Sequence, residues 1–119
     1  MDFDTVTVAL LLLGPNAAEL TEAQEDALQD AHLAHLAAMH DAGELLAAGP
    51  VLGAEDRDLR GFSVYRSSDL DHVRAIADDD PAIEAGRMRH EFHVWTYPAG
   101  LVTFSHGLMP RSMADVLGA

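Results

Sequence analysis

From Phe3 the chain alternates, with Thr5 and Thr7 set against Val6 and Val8, and then turns apolar on both sides through Ala9, Leu10, Leu11, Leu12 and Leu13. A two-residue period is that of a strand, and a strand apolar on both faces has to be covered on both. Gly14-Pro15-Asn16 closes it in a turn. The period then lengthens. Thr21 and Gln24 form a capping-box pair and Glu22 and Glu25 suit the positive end of a helix, so the pattern predicts a helix from about Glu22. Leu28, His32, His35, Leu36 and Met39 fall within an arc of about 100° on it, with Asp26, Asp30, Ala37 and Asp41 on the opposite side. Gly43 provides the left-handed position that stops it.

Glu44 to Val51 reads as a short strand, Gly53 to Asp58 as a polar loop, and Arg60 to Arg66 as a second alternating strand, so these pair as a hairpin. Ser68 is the expected cap of a second helix, whose apolar positions are Leu70, Val73, Ile76 and Ala77. Asp78-Asp79-Asp80-Pro81 interrupts it, because Pro81 disfavours helical geometry at Asp80 and then opens a fresh turn that runs to Gly86. Met88 to Tyr97 returns to strand, with His90, Phe92, Val94 and Thr96 on one face and Glu91, His93, Trp95 and Tyr97 on the other.

The order β-α-β-β-α-β predicts an α+β fold, the ferredoxin-like sandwich of a four-stranded antiparallel sheet with helices on one face. Residues 1–98 form the expected unit, and 99–119 a C-terminal extension in which Ser112 and Asp115 can cap a short helix. The second face of the sheet would be bare, so the chain is expected to pair as a twofold homodimer through it.

Charge and composition narrow the partners. The net charge is -13, and all seven basic residues are Arg. Such a field repels phosphate backbones and anionic bilayers, so neither nucleic acid nor membrane is an expected partner. The apolar run at the N-terminus is too short to span a bilayer and lacks a basic leader, which predicts a cytoplasmic protein. With no Cys, thiol nucleophiles and thiolate metal sites are excluded.

Seven histidines carry the remaining chemistry. His32 and His35 share the apolar face of the first helix; either can be a core histidine, an acid/base group or half of a chelate. No further ligand set accompanies them, so no metal and no cofactor are expected. His40, toward the polar edge of the helix, His72 and His106 read as solvated, and the acidic triplet Asp78 to Asp80 as helix-end punctuation. Met39, Phe62, Trp95 and Tyr97 can stack on an aromatic ligand, and Arg87 and Arg89 can attract a carboxylate or phenolate.

Ala31-His32-Leu33, Gly43-Glu44-Leu45-Leu46, Ala48-Gly49-Pro50, Gly61-Phe62, Ala77 with Asp80-Pro81, and Ala85-Gly86 follow one another at a spacing that resembles the YciI (YCII-related) family of small dimeric α+β proteins, over about residues 5 to 97. The resemblance implies the dimeric α+β barrel version of the fold and a site made by the helix histidine and the aspartate of the Asp-Pro pair, here His32 and Asp80. It also implies a small-molecule ligand, for which Met39, Gly49, Pro50, Phe62 and Trp95 are the expected walls. One branch of the family is associated with dehydrochlorination of chlorinated hydroxyhydroquinones, and the fold resembles that of muconolactone isomerases. The expected function is therefore cofactor-independent acid/base elimination or isomerisation of a small cyclic or aromatic compound. The alternative is a binding module of the same fold without catalysis.

Overall fold

The computed structural model describes residues 1–55 and 58–118. Asp56 and Arg57, in the expected polar loop, lie outside the described residues. The elements are β1 (Phe3–Leu13), a single 3-10 turn (Ala17–Glu19), α1 (Glu22–Asp41), β2 (Leu45–Pro50), β3 (Leu59–Tyr65), α2 (Leu70–Ala77), α3 (Pro81–Glu84), β4 (Met88–Pro98) and α4 (Met113–Leu117). The strands lie in the order β2-β3-β1-β4, and every pair is antiparallel. This is the ferredoxin-like α+β arrangement, with the doubly apolar β1 at its centre.

Local chemistry places the elements. Thr21 Oγ1 accepts from the Gln24 amide at 3.2 Å and Gln24 Oε1 accepts from the Thr21 amide at 2.9 Å, so α1 begins on a complete capping box. Gly43 follows with φ +77°, the left-handed stop. The cap of α2 is Asp69 rather than Ser68: its Oδ1 accepts from the amides of Asp71 and His72, while Ser67 Oγ accepts from Asp69 itself. An ionised carboxylate at that position also complements the helix dipole, which a hydroxyl one residue earlier does not.

Two glycines permit close backbone contacts. At Gly14, where β1 meets the turn before β4, a Cβ would stand 2.2 Å from the Gly86 carbonyl oxygen; at Gly61, one would stand 2.5 Å from the Gly49 carbonyl oxygen on the neighbouring strand. Neither site has room for any other residue.

Between sheet and helices, Ala9, Leu36, Leu45, Tyr65, Val73 and Ala77 form the main core. The opposite face is only partly bare. Val6, Val64 and Tyr97 are buried there beneath Val102 and Phe104 of the segment that follows β4. This segment passes round the sheet beside the start of β2 and continues along α1, where Arg111 pairs with Asp41 at 2.7 Å and the Met113 amide donates to Asp30 at 2.8 Å. It is a strap. Ser112 caps its terminal helix by accepting from Asp115, as the spacing predicted.

The strap changes two expectations about α1. Ala37, on the side assigned to solvent, is fully buried, because it lies on the stripe between Asp30 and Asp41 along which the strap runs. His40 is buried too, not solvated. Its ring stacks on His106 with centroids 4.4 Å apart, and its two nitrogens lie 3.1 Å from the Leu45 carbonyl and 2.9 Å from that of Gly107.

Candidate active site

The third turn of α1 points His32 inward, where it is 7% exposed. Its partner comes from the break between α2 and α3. Pro81 occupies the first position of α3, and Asp80 before it is extended at φ -66° and ψ 128°, as a residue preceding proline prefers to be. That geometry turns its carboxylate inward. Oδ1 accepts from the Ala82 amide at 2.9 Å and caps α3, while Oδ2 accepts from His32 Nδ1. Burial alone would push the Asp80 carboxyl up, but the hydrogen bond and charge of His32, with the Ala82 amide, outweigh it and hold the group below its ordinary 3.8.

With Nδ1 committed to Asp80, Nε2 is the ring nitrogen left for other chemistry. His35, one turn along, has no such freedom, because its Nε2 donates to the Ile76 carbonyl at 3.0 Å. On β4, opposite Leu11, His90 Nδ1 bonds Asp78 Oδ1 at 2.9 Å, making a second pair from the same acidic triplet. Burial lowers the His90 pKa, and Asp78 restores only part of the loss. Tyr65 is pushed up, first by burial and then by the charges of Asp80 and Asp78, so its phenol stays neutral. Among the described residues, no three His, Asp or Glu side chains gather as a metal site.

His32 opens onto a cavity of about 430 Å³, a volume suited to a small organic molecule. Leu33, Leu36 and Leu11 make its apolar floor, and Gly49 and Pro50 line the side formed by the hairpin; Phe62 borders it there but, two residues from Val64 on β3, belongs to the outer face of the sheet and is 47% exposed. Met39 is elsewhere, packed against the main core. Trp95 is on the other face of the sheet, 43% exposed and packed on Tyr97 at 4.7 Å between ring centroids. Both differ from the expected pocket walls for the same reason, that periodicity assigns a side chain to a face but not to a place along it.

The charge of the lining is the reverse of the chain's. Arg60 and Arg87 contribute to it, together with His32, and no Asp or Glu does among the described residues. Arg87 is steadied by Gln29, whose Oε1 accepts from it at 2.9 Å. The remaining wall was not foreseen: Met109, Pro110, Met113 and Val116 of the strap close the cavity from above. Positions 109, 113 and 116 repeat at i, i+4 and i+7, which is the one signal in the tail that marks an apolar face seeking cover.

The YCII-related domain family matches residues 8–95, which run from the middle of β1 through most of β4 and include both members of the buried pair. The chain belongs to the YCII-related family. The protein YciI of Escherichia coli O6:H1 is 36% identical over 69 residues, covering 53% of this chain and 70% of that protein, and YciI of Shigella flexneri gives the same figures. Among solved structures, the YCII-related chain is similar to 5-chloro-2-hydroxyhydroquinone dehydrochlorinase (TftG) of Burkholderia phenoliruptrix AC1100, in complex with 2,5-dihydroxybenzoquinone. The TM-score is 0.52 at 23% identity, over 76% of this chain and 92% of that one, a likeness of fold. The strap lies beyond the residues that define the YCII-related domain. No described helix is long and apolar enough to cross a membrane.

Proposed function

We propose that this chain is a small-molecule enzyme in which His32 is the general acid/base and Asp80 its positioning partner, acting on a ring compound held in the cavity. One observation carries the reading: a buried histidine, tied at Nδ1 to a buried carboxylate, lines a largely apolar cavity whose described walls include Arg60 and Arg87 and no Asp or Glu. Neutral His32 takes a proton at Nε2 from a carbon or hydroxyl of the ring, and Asp80 stabilises the imidazolium that forms. In an elimination, the electron pair left on carbon forms a double bond as an anion such as halide departs. In an isomerisation, the same proton returns to another carbon. Neither reaction changes the oxidation state of any protein group, so no redox cofactor is called for. Arg60 and Arg87 favour a substrate bearing a phenolate or carboxylate.

The test is turnover of hydroxylated and halogenated quinols by His32→Ala and Asp80→Asn. Loss of His32 is expected to cost about 10²- to 10⁴-fold in rate while the probe 2,5-dihydroxybenzoquinone still binds. If no ring substrate turns over with the wild-type protein and the variants bind the probe as it does, the chain is a binding module of the same fold.

We infer also that the uncovered part of the sheet's outer face, where Phe62 and Trp95 are about half exposed, pairs with a second copy of the chain. Light scattering at micromolar concentration is expected to give twice the 12.8 kDa mass of the chain. A monomer would end this reading.

A further inference from the structure

The strap is the part of the molecule that neither the family nor the pair at its centre accounts for. It leaves β4, crosses the outer face and returns along α1, held by groups that have no part in the acid/base pair: Arg111 on Asp41, the Met113 amide on Asp30 and the carbonyl of Gly107 on His40. All three contacts are polar; the first two lie at the surface, and the third reaches the buried ring of His40. What they deliver to the cavity is apolar: Met109, Met113 and Val116, with Pro110, stand among the residues that line it. Without them the space above His32 would open to water.

From this division of labour we propose that the strap is the specificity element of the site, with Met109 and Met113 setting the size of ring the cavity accepts. The inference rests on the reading of the cavity as a ligand site. The ligand class is a single ring carrying an acidic oxygen. Its edge lies beneath the two thioether side chains, and its anionic group is drawn toward Arg87. Two unbranched methionines are suited to this work, because their flexible side chains follow the outline of a flat ring where a branched residue cannot.

The experiment is calorimetric titration of the full-length protein and full-chain variants with 2,5-dihydroxybenzoquinone, a single ring, and 2-hydroxy-1,4-naphthoquinone, a double ring of similar acidity. The wild type is expected to favour the single ring. Met109→Ala combined with Met113→Ala should shift the ratio of the two dissociation constants toward the double ring by about tenfold or more, and Met113→Trp should weaken both ligands. A wild type that binds neither, with a double variant that binds the naphthoquinone, would also support the inference, since the strap then limits entry. If the wild type binds, the double variant keeps its ratio and Met113→Trp binds both compounds as tightly as the wild type, the strap is not the specificity element, and the His32 reading stands without it. If neither wild type nor double variant binds either compound, both readings fall. Met113→Trp, on the surface helix, keeps the test decisive if the double variant does not fold.

Discussion

Two histidine–aspartate pairs draw their acids from a single run of three, and they do not resemble each other. His32 and Asp80 are both buried, and the carboxylate has two partners. His90 is as deeply buried, with a side chain 4% exposed, but it holds Asp78, whose side chain is 42% exposed. The difference comes from the backbone. Asp78 ends α2 in helical geometry and stays near the surface, whereas Asp80, extended ahead of Pro81, starts α3 and turns inward. A carboxylate sealed away with a histidine can tune and orient it; one that reaches water mainly answers the hydrogen-bonding need of the ring beside it.

The sharpest way to break this comparison is to remove each acid. Asp80→Ala leaves His32 buried without its partner and strips the cap from α3, and is expected to cost about 3–5 kcal/mol in urea denaturation. Asp78→Ala should cost about 1 kcal/mol, because water can replace an exposed carboxylate. Equal losses would mean that burial does not distinguish the pairs.

A smaller effect lies in the pH dependence. Folded His90 titrates below its ordinary 6.5, so as pH falls below that value the unfolded chain takes up a proton that the folded chain refuses. The stability due to neutral His90 is therefore full above about pH 6.5 and declines as acid is added, until the folded ring itself protonates. Asp80, held below 3.8, behaves alike but further down: its contribution is present above that value and is lost as pH falls through the folded pKa. His90→Gln is expected to flatten the decline just below pH 6.5 and leave the more acidic one in place. A melting-temperature series across pH checks both, and an unchanged upper decline would exclude His90 as its source.

The fold was legible because its signals are local. The Thr21 and Gln24 capping box, the glycine stop at Gly43, the Asp80-Pro81 break and the alternation of β4 each depend on residues a few positions apart, and each has its counterpart in the structure. Adjacent candidates were harder to separate: Ser68 and Asp69 both cap well, and only the chain's path into α2 chooses between them. The site was half legible. Helical periodicity puts His32 and His35 on the same face; what separates them is the partner each meets, Asp80 or the Ile76 carbonyl, more than 40 positions away. Resemblance to a family pointed to Asp80, and spacing alone does not. Ala37 and His40 looked solvent-facing for a related reason. A helical projection contains the helix and nothing of the strap that returns to cover it from some 70 residues downstream.

Trp95 is the chain's single tryptophan, and it stands on the face of the sheet turned away from His32. One indole thus reports from one side of a four-stranded partition, and on the other side stands a tyrosine, Tyr65, buried in the main core. Its emission registers changes in the water around the outer face, so a blue shift as protein concentration rises would signal that face closing. A ligand entering the cavity influences the indole only through the sheet. The wavelength of indole emission and the heat of ligand binding therefore interrogate separate halves of this molecule.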